Sequence, residues 1–221
     1  MSFTEQLSTE LDPIWEAINT HPMVKGIGDG SLDPAPFRYW VRQDYVYLID
    51  YARVFALGAA NTPALAQMST FATLLEETIN TEMELHREYA AEFGIDCDAL
   101  EETTASPTTR AYTDFLVRTA ATGTFGDTLA ALLPCMWGFN QTGKNLAEIG
   151  LPDHDQYRAW IEMYAGEEFT ELTDWCLTLV DEEAAAAADR DRARYRELVL
   201  TSARYEYLFW DAAWRQEEWP V

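Results

Sequence analysis

The sequence predicts an all-α fold, and three observations support this prediction. Apolar residues recur every three or four positions along most of the chain, which is the spacing of an amphipathic helix. Glycine and proline cluster at a few places, and no Asn-Gly turn joins two alternating apolar stretches as in a β-hairpin. The chain has 221 residues, a length that fits one domain. We therefore expect residues 1–221 to form a single helical domain of about seven or eight helices.

Capping residues and helix breakers set the boundaries in the first half of the chain. The first helix is amphipathic, and His21-Pro22 ends it before a loop rich in glycine, aspartate and proline over residues 26–36. The second helix is rich in aromatic residues. Gly94 suits the C-terminal cap of the third helix, and Ser106-Pro107 gives the fourth an N-cap and a first-turn proline. These helices are predicted over residues 3–19, 37–60, 62–93 and 107–121.

The second half of the chain predicts four more helices. A long apolar segment, closed by Gly150, forms the fifth, and an aspartate at position 153 or 155 starts the sixth. The alanine-rich stretch 184–188 favours a helix or a junction between helices. The predicted ranges are residues 124–149, 153–163, 166–188 and 189–217.

The charge is strongly acidic, with 38 Asp and Glu residues against 15 Lys and Arg residues and a net charge of −23. Such a surface repels itself in dilute salt, whereas molar salt shortens the Debye length to about 3 Å and screens the repulsion. The acidity therefore indicates adaptation to a salt-rich cytoplasm, as in a halophilic archaeon. Nucleic acid is excluded as a partner because binding to phosphates needs a basic surface.

The cysteine content and the N-terminus indicate a cytoplasmic protein. The three cysteines, Cys97, Cys135 and Cys176, lack the spacing of a metal site or a disulfide framework. The N-terminal residues lack the basic region and apolar run of a secretory signal. No apolar stretch is long enough to span a bilayer, so no membrane partner is expected.

Cys135 is the first candidate for chemistry. It follows Pro134 inside a helix-like segment, where a proline removes one backbone hydrogen bond. Two interpretations are open: a reactive thiol beside a local distortion, or a buried cysteine that packs as a small apolar residue.

Two carboxylates lie among aromatic residues. Asp44 shares a helix face with Tyr47 and Tyr51, and Glu206 shares a stripe with Phe209 and Trp210. A carboxyl group on an inward face would have a raised pKa and could serve as a general acid near neutral pH. Both carboxylates could instead point to solvent beside a purely structural aromatic core.

Four further residues have more than one interpretation. Tyr112 and Tyr164 could line a cavity or be core tyrosines with satisfied hydroxyl groups. Glu82 and His86 are four residues apart on one face, a spacing that could serve a di-iron carboxylate site. A structural Glu–His pair is the preferred interpretation, because the chain has only three histidines.

Five segments together resemble the TenA/thiaminase II family over essentially the whole chain. They are Arg42-Gln43-Asp44-Tyr45, Glu82-Met83-Glu84-Leu85-His86, Leu132-Leu133-Pro134-Cys135, Trp160-Ile161-Glu162-Met163-Tyr164 with Glu167-Glu168-Phe169, and Tyr205-Glu206-Tyr207-Leu208-Phe209-Trp210. The resemblance implies a haem-oxygenase-like fold and a homotetramer. It also implies hydrolysis of thiamin, or of an aminopyrimidine from degraded thiamin, to hydroxymethylpyrimidine, without a cofactor or metal.

The resemblance further implies roles for individual residues. Cys135 matches the nucleophile that adds to the pyrimidine, Glu206 the acid at a ring nitrogen, and Asp44 the carboxylate that binds the exocyclic amine. The residues expected to line the substrate pocket are Tyr47, Tyr112, Phe139, Tyr164 and Phe209. Phe139 departs from the family, whose members often carry a tyrosine there, so a hydroxyl contact is missing.

Two alternative functions are weaker. A di-iron oxidase would use Glu82 and His86 but would need further inward-pointing ligands. A pyrimidine-binding or regulatory protein of the same fold, without catalysis, is suggested by the family's early naming as a transcriptional enhancer. Because the net charge of −23 opposes contact with DNA, such a regulatory protein would have to act through a protein partner.

Overall fold

The computed structural model describes residues 2–221, apart from the side chains of Thr81, Glu82 and Leu85. The described residues form helices and no strand, which confirms the all-α prediction. The α-helices are α1 Phe3–Asn19, α2 Pro22–Asp29, α3 Pro34–Asn61, α4 Leu65–Glu77, α5 Met83–Glu92, α6 Cys97–Glu101, α7 Pro107–Thr122, α8 Phe125–Ile149, α9 Asp155–Ala165, α10 Glu167–Ala186 and α11 Asp189–Arg215. A π-helical segment, Thr78–Glu82, joins α4 to α5 without a break.

Helix α2 lies partly where the sequence predicted a loop over residues 26–36. The imidazole Nδ1 of His21 accepts from the backbone N–H of Met23 at 3.2 Å, and Pro22 occupies the first turn. The glycines that suggested a loop are packing residues: a Cβ at Gly28 would lie 2.6 Å from Leu146. The helix ends at Gly30, whose φ of 77° lies in the left-handed region.

Two other features differ from the prediction for local reasons: an additional short helix and the start of α3. The short helix α6 forms because the Asp96 carboxylate accepts from the backbone N–H of Ala99 at 2.8 Å. Helix α3 starts at Pro34 and not at Phe37, since a proline in the first turn gives up no intrahelical bond. The described residues form more helices than the seven or eight predicted because α2 and α6 are additional and because the π-helical segment Thr78–Glu82 divides the predicted helix 62–93 into α4 and α5.

The described chain divides into two compact units. The first comprises the chain up to Asp33 together with Leu129–Asp211, and in it α10 packs against α1 and α9. The second comprises Pro34–Thr128 together with Ala212–Val221, and in it α3 packs against α4, α5 and α7. The single domain over residues 1–221 stays a prediction.

Each unit has its own core of large apolar side chains. Leu7, Leu11 and Trp160 are buried in the first, and Phe37 and Phe71 in the second. Full burial of one such side chain stabilises the fold by about 1.5–3 kcal/mol. Among the described residues, no helix has both the length and the apolar character needed to cross a membrane.

Candidate active site

Cys135 is a partly accessible thiol on a mostly buried helix. It lies in α8, directly after Pro134, and its neighbours Leu133 and Met136 are buried. The buried-thiol interpretation describes Cys176 instead, because full burial disfavours the thiolate and raises the pKa of Cys176 to about 12. The partial exposure of Cys135 is the condition that a nucleophilic thiol needs.

An aromatic cluster lies one helical turn from Cys135. The ring centroid of Phe139 is 4.8 Å from that of Tyr164 and 5.4 Å from that of Trp210. The Tyr164 ring also lies 4.7 Å from the Trp160 ring. These contacts connect α8, α9 and α11 in one buried aromatic cluster.

Asn140 and Gly143 hold Tyr164 in this cluster, and the sequence alone did not identify either residue. The Asn140 side-chain amide donates to the backbone carbonyl oxygen of Tyr164 at 2.9 Å and to the hydroxyl of Thr170 at 3.0 Å. A Cβ at Gly143 would lie 2.8 Å from the backbone of Tyr164 and Ala165. Only glycine permits this close approach of α8 to the end of α9.

Glu206 is buried on α11, with 2 % of its surface exposed, so the solvent-facing interpretation is wrong. Phe209 and Trp210 are buried on the same helix, whereas Leu208 is exposed. A carboxyl group in this environment meets the burial requirement of a general acid.

A hydrogen bond fixes α11 against α8 close to both candidate catalytic residues. The hydroxyl of Ser202 donates to the backbone carbonyl oxygen of Ala131 at 2.6 Å. Cys135 lies four residues after Ala131, and Glu206 lies four residues after Ser202. The side chains of Cys135 and Glu206 are therefore each one helical turn from this shared anchor.

Asp44 and His86 form a buried pair in the second unit. The two residues are 6 % and 8 % exposed, and His86 Nε2 lies 2.7 Å from Asp44 Oδ2. The exposed-aspartate interpretation is therefore wrong. The structure pairs His86 with Asp44, while the side chain of Glu82, the other residue of the di-iron hypothesis, lies outside the described residues.

Among the described side chains, no group of three or more His, Cys, Asp or Glu residues is arranged to hold a metal ion.

The tyrosines predicted near Asp44 come together. The ring centroid of Tyr47 is 5.3 Å from that of Tyr51, in a stacked arrangement, and 5.2 Å from that of Tyr112 on α7. All three rings are buried. Asp44, Tyr47 and Tyr51 thus share an inward face of α3, as their spacing predicted.

Gln43, the neighbour of Asp44, ties the start of α7 to α3. Its side-chain oxygen accepts from the backbone N–H of Ser106 at 2.9 Å and from the hydroxyl of Thr109 at 2.7 Å. Its side-chain nitrogen donates to the carbonyl oxygen of Thr104 at 3.1 Å. These bonds set the position of α7, and hence of Tyr112, relative to α3. One signal in the sequence indicates this role, namely a glutamine directly beside Asp44 in an aromatic-rich helix.

The candidate residues thus fall into two groups. The first unit holds a partly exposed cysteine, a buried carboxyl group and a buried aromatic cluster; the second holds a buried carboxylate, a histidine and tyrosines. Thiol and carboxyl groups are the usual means of nucleophilic addition assisted by proton transfer.

Comparison with known proteins gives consistent similarities. Residues 8–216 match the model of the TENA/THI-4/PQQC family. The aminopyrimidine aminohydrolase of Halalkalibacterium halodurans is 45 % identical over 220 residues, covering 99 % of this chain and 98 % of that protein. The aminopyrimidine aminohydrolase of Bacillus subtilis is 36 % identical over 219 residues, covering 99 % of this chain and 92 % of that protein.

Solved structures show the same fold. A TenA homologue from P. horikoshii superposes with a TM-score of 0.89 at 25 % identity, covering 97 % of this chain and 99 % of that chain. A domain with a haem-oxygenase-like fold from Shewanella denitrificans superposes with a TM-score of 0.74 at 14 % identity, covering 96 % of this chain and 92 % of that chain. The expected haem-oxygenase-like architecture is confirmed.

Proposed function

Because the chain belongs to the TENA/THI-4/PQQC family, we propose that it is an aminopyrimidine aminohydrolase, or thiaminase II, of thiamin salvage. Its substrate would be thiamin or an aminopyrimidine breakdown product, and its product hydroxymethylpyrimidine. The main support is 45 % identity over 99 % of the chain to a relative that carries this name. The reaction is a hydrolysis, in which the oxygen of water replaces the leaving amine or thiazole.

In this proposal Cys135 is the nucleophile and Glu206 the acid. Addition of the thiolate to a neutral aminopyrimidine places negative charge on the ring, and a proton from Glu206 to a ring nitrogen removes it. The amine or thiazole then departs with its electron pair from the exocyclic methylene carbon, and water adds to that carbon. The proton that this water loses goes to the departing amine, or to solvent when thiazole leaves. The C–S bond then breaks to release the Cys135 thiolate, and the ring nitrogen returns its proton to Glu206. The accessibility of Cys135 and the burial of Glu206 support these roles.

Asp44 binds the exocyclic amine of the pyrimidine in the same proposal. A buried carboxylate accepts strongly from an amino group and favours the protonated ring. The aromatic side chains stack on the ring and exclude water, which strengthens the polar contacts. The residues assigned to this lining are Tyr47, Tyr112, Phe139, Tyr164 and Phe209.

Phe139 distinguishes this chain from family members with a tyrosine at that position. It keeps the ring contacts with Tyr164 and Trp210 and supplies no hydroxyl. We expect the preference between thiamin and the aminopyrimidines to depend on this residue, and Phe139→Tyr to change the ratio of their kcat/KM values.

The assay that tests the function uses pure protein in high salt with thiamin and with aminopyrimidine substrates. Formation of hydroxymethylpyrimidine, followed by chromatography, is the expected result. Cys135→Ala and Glu206→Gln should each abolish most turnover, whereas Cys97→Ser, at an exposed cysteine, should not. Full activity in Cys135→Ala would refute the nucleophile, and binding without turnover would favour the regulatory alternative.

We also propose that the protein is a cytoplasmic homotetramer adapted to high salt, in which residues 1–221 form one domain. The net charge of −23 supports the adaptation to salt, and three free cysteines suit a reducing compartment. Light scattering coupled to gel filtration in molar KCl tests the tetramer, and a monomer at micromolar concentration would refute it.

A further inference from the structure

The buried pair of His86 and Asp44 has a geometry that goes beyond packing. The two residues come from α5 and α3, and only one oxygen of the carboxylate, Oδ2, faces the imidazole at 2.7 Å. A buried carboxylate costs several kcal/mol unless donors compensate for its lost hydration. An imidazole N–H donating to Oδ2 supplies such a bond and orients Oδ1 as the remaining acceptor.

The chain around His86 fixes the direction of its imidazole. The π-helical segment Thr78–Glu82 ends at the residue before α5, and the wider turn shifts the register of the helix that follows. Trp40, on α3, places its ring 6.5 Å from the imidazole, at an interplanar angle of 40°. Single π turns inside α-helices occur frequently at functional sites. This one immediately precedes α5, and His86 on α5 contacts Asp44, which lies one turn before Tyr47 on α3.

We propose that His86 is a positioning residue, which holds the Asp44 carboxylate so that its Oδ1 accepts from the exocyclic amine of the pyrimidine. This inference rests on the proposed function. His86 itself does not touch the substrate in this arrangement. Its contribution is selectivity for a ring that carries an amino group, because a fixed acceptor discriminates against an analogue that lacks the donor.

A structural pair and a positioning pair differ in one measurable respect. A pair that only fills the core can be replaced by apolar residues without a specific effect on ligand choice. A pair that orients an acceptor affects only ligands that donate to it. The probe ligands are therefore hydroxymethylpyrimidine and its analogue in which hydrogen replaces the ring amino group, with Kd measured by calorimetry.

The variants are His86→Met, His86→Gln, His86→Asn and Asp44→Asn. His86→Met should weaken binding of hydroxymethylpyrimidine about tenfold or more, equivalent to about 1.4 kcal/mol, and change Kd of the analogue less than about threefold. His86→Gln should recover most of the affinity, since its amide can reach the place of Nε2, whereas the shorter His86→Asn should not. In the Asp44→Asn background, His86→Met should have no further effect.

The matched control is His21→Met. His21 is also a buried histidine beside an aspartate, with its Nε2 3.7 Å from Asp211. This variant should lower the melting temperature and leave the ratio of the two Kd values unchanged.

Two results would overturn the inference. One is an unchanged ratio of the two Kd values in His86→Met, and the other is additive effects of His86→Met and Asp44→Asn on the Kd of hydroxymethylpyrimidine. If His86→Met does not fold, the contrast between His86→Gln and His86→Asn decides, and equal Kd values in those two variants refute the role. A wild-type protein that binds neither ligand refutes the proposed function itself.

Discussion

Asn140 donates from its side-chain amide to the backbone carbonyl oxygen of Tyr164 over 2.9 Å, and so attaches the end of α9 to α8. The same amide donates to the hydroxyl of Thr170 at 3.0 Å, which adds the first turns of α10. One buried side chain therefore fixes the position of an aromatic residue that we assign to the substrate pocket.

Replacement of Asn140 tests this attachment. Asn140→Leu keeps most of the volume but leaves the carbonyl oxygen of Tyr164 without its donor, which should cost about 1–3 kcal/mol of unfolding free energy. KM should rise as well, because Tyr164 loses its fixed position. Urea denaturation and steady-state kinetics measure the two effects. The control Asn145→Leu, at a half-buried site of the same helix, should have a smaller effect, and equal losses would contradict the assignment.

The three cysteines should differ in reactivity. Burial raises the pKa of Cys176 to about 12, so its thiolate is scarce at neutral pH and reagent cannot reach it. Iodoacetamide should therefore modify Cys97 and Cys135 in the folded protein and Cys176 only after unfolding, as mass spectrometry can show.

Ligand protection then separates the two accessible thiols. Hydroxymethylpyrimidine should slow alkylation of Cys135 several-fold and leave the exposed Cys97 unaffected, which serves as the internal control. Equal rates at Cys135 with and without ligand would argue against its place in the proposed pocket.

Replacement of Gln43 should lower the free energy of unfolding more than replacement of a typical half-buried residue. Gln43→Leu removes the partners of the Ser106 N–H, the Thr109 hydroxyl and the Thr104 carbonyl oxygen, with an expected cost of about 2–4 kcal/mol. The control Gln67→Leu removes a single bond, from the hydroxyl of Thr62, and should cost less. Denaturation midpoints compare the two, and a smaller loss at Gln43 than at Gln67 would contradict its role as the link between α3 and α7.

Salt should stabilise the protein. The net charge of −23 produces self-repulsion that favours the unfolded chain, and ions screen it. The melting temperature should rise by about 5 °C or more between low salt and molar KCl. NaCl at the same ionic strength should give the same rise, because screening depends on ionic strength. A flat profile would contradict adaptation to a salt-rich cytoplasm.

The sequence predicts most of the fold because its signals are local. Ser106 caps α7 through the backbone N–H of Thr109, and Gly94 has a φ of 72°, as their residue types suggested. Gly28 misled the prediction, since a glycine needed for close packing against Leu146 looks the same in sequence as one in a loop.

The candidate site is predictable only where its residues are close in the sequence. The helical spacing of Asp44 and Tyr47 indicates a shared face, and both side chains are buried there. The partner of His86 depends on contacts between residues 42 positions apart and on a π-helical turn that no residue type marks. Asn140 was hidden for the same reason, because its acceptor is a backbone atom of another helix.

The bond from Ser202 to the carbonyl oxygen of Ala131 limits how this chain can change in length. Glu206 and Cys135 each lie four residues beyond the shared anchor, along their own helices. A single residue inserted in either stretch would rotate the side chain beyond it by about 100° around its helix. Glu206 would then leave the buried stripe, or Cys135 would leave the turn beside Phe139. Substitutions can be absorbed in these two stretches, but insertions and deletions cannot.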